Sequence, residues 1–431
     1  MADPNPRILP YGMAAIDEAA KRIARGECVA VPTETVYGLA ADARNAEAVA
    51  GIYAAKGRPS FNPLIVHVPD LAAAERIAVF DEDARAVAAR FWPGPLTLVL
   101  PLRADAGIAA LVTAGLDTIA LRVPRHRAMQ ALLAASGAPL AAPSANASNG
   151  LSPTRAEHVA RSLGPRVPLI IDDGACAAGV ESTIVAGRTI LRPGPIAAAD
   201  LPFPVTRRAE GAAITAPGQL ATHYAPVKPL RLEATERRAG EWLIGYDSII
   251  GDDTLSASGD LIEAAARLFD ALHRADASDA AGIAIAPSPQ AGVGEAINAR
   301  LARAAHRSRR PAGGGMAAPH TTSPRTGSGV HQAAGARLEA LAIPLAAEWT
   351  PDQVRGDGEC GAGGARRICR TTRWLLEDGV RAAGVACGIT PKTPAVAGDH
   401  RGSGLLDLGG RARSGAGTLG GGGARAEVRG Y

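Results

Sequence analysis

Short apolar runs set the strongest limit on the fold of this chain. CVAVP, LIVHV, LTLVL, TIALRV and PLAAP recur between residues 28 and 143. Each is the length of a strand, and most are separated from the next by a segment whose apolar residues fall at helical spacing. In the segment 13–25, Ile16, Ala19, Ala20 and Ile23 repeat with helical period, and Gly26 is placed to end the helix. NAEAVAGIYAAKG reads the same way: Asn45 is a cap, Val49, Ile52 and Tyr53 share a face, and Gly57 is a stop. DARAVAARFW, RHRAMQALLAA and TRAEHVARSLG are further helices, the last with Thr154 and Glu157 at capping-box spacing. PLIIDD, ESTIVA and TILRP close the region as strands. Strands and helices mixed without strict alternation predict an α/β domain on a twisted mixed sheet, over residues 10–200.

Residues 201–229 lose all period and are rich in proline and polar groups, a length that a compact domain keeps only for a purpose. Pattern returns from Leu230. Strands LRLEA, EWLIGY and GIAIAP and helices DLIEAAARLFDALHRA and GEAINARLARAA predict a small second α/β, Rossmann-like domain over 230–306. Residues 307–431 are Gly, Arg, Ala and Pro with little to bury, so this tail is expected to be disordered. Two readings of it stand: read-through or out-of-frame sequence, or a basic arm for RNA.

A hydrophobic content of 47% allows a real core, and a formal net charge of +4 permits anionic ligands without pointing to a nucleic-acid binder. The five cysteines (Cys28, Cys176, Cys360, Cys369, Cys387) contain no Cys-x-x-Cys pair, which argues against zinc and against a disulfide framework. MADPNPRILP has no apolar stretch typical of a signal peptide, and no run approaches the ~18 apolar residues of a membrane span, so a cytoplasmic location is expected.

Several stretches carry polar groups where a strand should end. VPTETVYGLAADA (Val31–Ala43) crowds Thr33, Glu34, Thr35 and Tyr37 at such a point. KGRPSFNPL sets Lys56, Arg58 and Asn62 close together, either as a phosphate or carboxylate site or as a helix-dipole complement beside a solvated arginine. In DTIALRV, Ile119, Leu121 and Val123 share one face and Thr118, Ala120 and Arg122 the other. Arg122 therefore either meets an anion on the inner face of a sheet or stands in water on an edge strand. His67 sits similarly in LIVHV. APSANASNG offers Ser144 and Asn146 in a turn that can bring N–H groups to phosphate, or that is simply a turn. GVESTIV and ILRPG carry Ser182, Thr183 and Arg192. There is no Walker pattern, no G-x-G-x-x-G and no H-E-x-x-H.

Taken in order with WPGPLTLVL and LRVPRH, these stretches resemble the YrdC-like family. PGQLATHYAP followed by a second α/β domain resembles its two-domain members, the L-threonylcarbamoyladenylate synthases. The resemblance spans residues 10–305. It implies an ATP-dependent nucleotidyltransferase of tRNA modification, which joins L-threonine, bicarbonate and ATP into threonylcarbamoyl-AMP and releases pyrophosphate. Partner proteins would then carry the group to tRNA. The family's Lys-x-Arg and Ser-x-Asn signature falls on Lys56, Arg58, Ser144 and Asn146. Nucleotide contacts fall on Arg58, Asn62, Thr118, Ser144, Ser152, Arg192 and Tyr224, with magnesium assisting, and threonine contacts on Thr35, His67, Arg122, Ala142 and Ser182. Lys56, Arg58 and Arg192 would face the phosphates, Arg122 would clamp the threonine carboxylate, and Glu34 would anchor the loop or a cation. Asn149 replaces a frequent family glycine. Two alternatives are weighed: a basic sheet that binds double-stranded RNA or tRNA without catalysis, for which the linker Tyr224 has no use, and a hydrogenase-maturation role, which lacks the expected neighbouring segments.

Overall fold

The computed structural model describes residues 6–208 and 223–306, all within one compact unit. The tail expectation and residues 209–222 of the linker lie outside the described residues.

The larger sheet contains eleven strands: β1 (Arg7–Pro10), β2 (Val29–Val31), β3 (Gly38–Asp42), β4 (Ile65–His67), β5 (Leu96–Pro101), β6 (Thr118–Arg122), β7 (Leu140–Ala141), β8 (Leu169–Asp172), β9 (Thr183–Ala186), β10 (Thr189–Arg192) and β11 (Thr206–Arg207). Their order is β1-β8-β2-β3-β7-β4-β6-β5-β9-β10-β11. Pairing is mixed: β4 and β6 run parallel, whereas β5–β6 and β4–β7 are antiparallel. The expected twisted mixed sheet is therefore present.

Alternation along the strands separates two faces. Val66, Leu98, Leu121 and Ala141 enter the main core, which is covered by α2 (Ala46–Lys56), α3 (Leu71–Ile77), α4 (Glu82–Phe91) and α7 (Ala156–Leu163). On the opposite face α1 (Met13–Ala24) and α6 (Arg127–Ser136) pack over Val29, Val31, Ala40 and Leu140. His67 and Arg122 point to that second face, beyond the strands those two helices cover. The same alternation that buries Leu121 places a charge on the open stretch of sheet.

Local signals account for the elements. Asn45 accepts the N–H groups of Glu47 and Ala48, and Gly57 ends α2 with φ 59°. The capping box at Thr154 does not form: Arg155 occupies the cap position, and the Thr154 N–H donates to Nδ1 of His158 instead. Sequence reasoning missed β1, β3, α3, the four-residue α5 (Ala110–Thr113), a two-residue strand at Asp253–Thr254, and β11, which lies in the stretch 201–229 read as without period. The strand β3, GLAAD, is small residues buried almost throughout, so no alternation marks it.

The smaller sheet is β12 (Leu230–Arg231), β13 (Glu241–Gly245), β14 (Asp253–Thr254) and β15 (Gly282–Ile285), in the order β12-β15-β13-β14 and all parallel. Helices α8 (Leu261–Ala277) and α9 (Gly294–His306) cover it. Its apolar core continues into Val36, Leu151 and Val180 of the first region, so the small sheet is packed against the turns that follow β2 and precede β9.

Candidate active site

A cleft with about 540 Å³ of space, its solvent-open mouth included, lies on the uncovered part of the large sheet. Thr35, Arg58, His67, Arg122, Ala142, Ser144, Ser182, Arg192 and Tyr224 line it, together with Thr33, Glu181 and His223. Residues expected from distant stretches of sequence thus meet in one space.

The turn between β2 and β3 is built by Thr33. Its hydroxyl donates to the Val36 carbonyl (2.7 Å) and accepts from the Thr35 and Val36 N–H groups (each 3.2 Å). That turn presents Glu34 and Thr35 to Arg122. One Arg122 terminal nitrogen donates to Thr35 Oγ1 at 2.9 Å, and the other meets Glu34 Oε1 at 2.7 Å. Arg122 is only 4% exposed and lies on β6, between β4 and β5, so the edge-strand alternative falls away. Burial pushes the Glu34 carboxyl up, but the Arg122 charge and hydrogen bonds from Arg122 and the backbone outweigh it and hold it below the ordinary value. His67 is buried with both ring nitrogens unpartnered. Burial, reinforced by Arg122, pushes its pKa down to about 3, so the imidazole is neutral.

The other side of the cleft is cationic. Arg58, at the start of the loop after α2, donates to the carbonyls of Asn62 and Pro63. Burial lowers it to about 10, still protonated at neutral pH. Arg192 donates to the carbonyl and the hydroxyl of Ser182 (3.1 Å each), and Ser182 shares a hydrogen bond with Thr97 (2.7 Å). Among the described residues neither Arg58 nor Arg192 forms an ion pair with a carboxylate. Gly194 explains the end of ILRPG: a Cβ there would stand 2.3 Å from the Thr183 nitrogen and 2.7 Å from the Glu181 carbonyl oxygen. Only glycine lets the strand carrying Arg192 close on the one carrying Ser182.

The structure does not bring every expected residue to the wall. Lys56 is turned away: its ammonium donates to the carbonyls of Ser144 and Asn146, and burial, with Arg58 and Arg166 nearby, holds its pKa well below the ordinary value. The expected approach of Lys56 to phosphate is replaced, in this arrangement, by support of the Ser144 loop. Asn146 braces the same loop through the carbonyls of Ala147 and Gly150. Asn62 is buried behind Arg58, and the Ser152 hydroxyl donates to Glu181. Thr118 opens β6, four residues before Arg122, and is not among the residues that line the cleft. Asn149 adopts φ 69°, as a residue standing in for glycine must, and its carbonyl accepts the Ala225 N–H, fixing the linker beside the cleft. Sequence reasoning passed over Glu181 and His223 at the wall. Their signal was position, inside the stretches GVESTIV and THYAP already singled out.

Comparison with known proteins agrees with this geometry. A family model described as "Telomere recombination", covering Sua5, YciO and YrdC proteins, matches residues 21–194. A second, "Threonylcarbamoyl-AMP synthase, C-terminal domain", matches residues 196–306. The threonylcarbamoyl-AMP synthase of Bacillus subtilis is 40% identical over 326 residues, 67% of this chain and 92% of that protein. The enzyme of the same name from Pyrococcus abyssi is 36% identical over 316 residues, 66% of this chain and 92% of that protein. The crystal structure of P. abyssi Sua5 complexed with L-threonine superimposes with a TM-score of 0.64 at 34% identity, covering 70% of this chain and 97% of that one. The chain belongs to the Sua5/YciO/YrdC family, among its two-domain threonylcarbamoyl-AMP synthases.

Proposed function

We infer that the protein forms threonylcarbamoyl-AMP and pyrophosphate from L-threonine, bicarbonate and ATP, for threonylcarbamoyladenosine modification of tRNA. One observation carries this reading. Two guanidinium groups, Arg58 and Arg192, are held in the cleft by carbonyls and a hydroxyl alone, opposite an Arg122–Glu34–Thr35 cluster. Charges buried with no carboxylate in ion-pair contact are costly unless an anion joins them, and a triphosphate beside an amino acid is such an anion.

We assign threonine to Thr35, His67, Arg122, Ala142 and Ser182. Arg122 gives the threonine carboxylate a cation, and Glu34 balances that cation before the substrate arrives. A neutral His67 can face the amine or hydroxyl of threonine without repelling an ammonium. We assign the nucleotide to Arg58, Ser144, Arg192 and Tyr224, with Lys56 and Asn146 shaping the Ser144 loop and Asn62 and Ser152 standing behind the wall. Thr118 keeps its assignment only through the family resemblance. In the reaction the threonine amine attacks carbon dioxide derived from bicarbonate and loses a proton, giving a carbamate. The carbamate oxygen then attacks the α-phosphorus in line, and pyrophosphate leaves. No protein nucleophile is needed; the protein positions two anions and neutralises their charge. Partner proteins would transfer the activated group to tRNA.

Magnesium fits the nucleotide better than it fits the protein. Among the described residues no group of three or more His, Cys, Asp or Glu side chains is arranged to hold a metal ion, and Glu34, which pairs with Arg122, and Glu181, in the cleft wall, are each engaged by an arginine. The described residues do not make a resident metal site.

The reading is tested by mixing purified protein with ATP, threonine and bicarbonate. Pyrophosphate should appear only when all three are present. Equal release without threonine would overturn the reading.

A further inference from the structure

The largest of the fully buried side chains in the described residues belongs to the small domain and not to the cleft's own sheet. Arg300, on α9, is 1% exposed. Its Nε donates to Glu181 Oε2 at 2.9 Å, its terminal nitrogens donate to the carbonyls of Glu181 and Pro193, and its guanidinium stands 5.7 Å from the Tyr224 ring. The other Glu181 carboxylate oxygen accepts from Ser152. One side chain therefore touches three segments at the cleft: the start of β9, the residue after Arg192, and the linker.

Glu181 is an awkward residue for this cleft. It lines a space that, on the reading above, must accept a triphosphate and a carboxylate. Burial alone would push its carboxyl up, but the charges of Arg300 and Arg192 hold it ionised, below the ordinary value. If Arg300 were absent, the cation left acting on Glu181 would be Arg192, and the two would neutralise each other at the cost of the phosphates.

We propose that Arg300 is a positioning residue that balances the Glu181 charge from the second domain and so keeps Arg192 available to the nucleotide. This rests on the reading that the cleft binds ATP. The small domain thereby acts on the cleft electrostatically, because its α9 supplies the charge that offsets Glu181.

The test is ATP binding to the full chain by calorimetry at low salt, with threonine present and bicarbonate left out so that nothing turns over. Arg300→Met should bind ATP at least about tenfold more weakly than the wild type. Glu181→Gln should bind about threefold tighter than the wild type, since it leaves an extra positive charge beside the cleft. The double variant should return to within about threefold of the wild type, because a buried ion pair replaced by two neutral groups is commonly tolerated. Opposite signs for the two single variants, cancelling in the double, are not what a purely structural contact gives. Should Arg300→Met fail to fold, Glu181→Gln still decides: weaker or unchanged binding overturns the proposal. Wild-type-like binding by a folded Arg300→Met, or no recovery in the double, also overturns it. A wild type that binds no ATP overturns the functional reading itself, a distinct result.

Discussion

Arg122, the last residue of β6, and Glu34, in the turn after β2, meet at 2.7 Å on the open face of the sheet. Neither residue could be placed without the other. The turn holds Glu34 where the strand charge needs it, and Thr35 takes a second donor of the same guanidinium.

Removing one partner of that pair is expected to be expensive. Arg122→Met leaves a largely buried carboxylate without its cation and should cost about 3–5 kcal/mol in a denaturant titration. Adding Glu34→Gln should recover most of the stability but not threonine-dependent pyrophosphate release. An Arg122→Met protein as stable as the wild type would show that the pair does not hold the turn.

Arg58 faces the cleft with no carboxylate to neutralise it. Arg58→Ala should lower ATP-dependent pyrophosphate release by about 10²-fold or more, in line with a loss of about 2–4 kcal/mol of transition-state stabilisation. Circular dichroism should show the fold retained. Release at the wild-type rate would remove Arg58 from the nucleotide site.

Gly194 should not tolerate a side chain. The Cβ of Gly194→Ala would fall 2.3 Å from the Thr183 nitrogen, so the β9 segment must move. A loss of about 1–3 kcal/mol is expected, with weaker binding of threonine, because Ser182 lies between the displaced atoms. A thermal melt and a threonine titration check this; an unchanged melting temperature refutes it.

Acid should destabilise the protein earlier than its carboxylates alone would predict. Burial pushes His67, His223 and His273 each down to about 3, from an ordinary 6.5. As pH falls below about 6.5 the unfolded chain takes up protons that the folded chain refuses, so stability present above that pH is lost progressively toward about 3. Urea titrations at about pH 7.5, 6.0 and 5.0 should give falling free energies, and His273→Gln should flatten the slope. Equal stabilities at all three values would contradict the assignment of neutral buried imidazoles.

The helices were legible because their signals are local. Asn45 caps α2 and Gly57 ends it by chemistry that needs no neighbours beyond a few residues. The capping box at Thr154 failed because His158, from the helix's own first turn, competed for the same N–H. The strand β3 was invisible because residues buried on both faces carry no alternation. Arg122 was recognisable as a charge on the wrong side of a strand, yet its anion, Glu34, could not be read from the sequence. Local sequence determined the strands, the helices, and the residue types waiting at their ends, since dihedral preference and burial period act over a few residues. Which of those ends share a cleft, that Lys56 turns to carbonyls of the Ser144 loop while Arg192 lines the cleft, and that Arg300 reaches Glu181 from another sheet were decided by tertiary packing. Charge pairing and desolvation act through space, between groups that the chain order keeps apart.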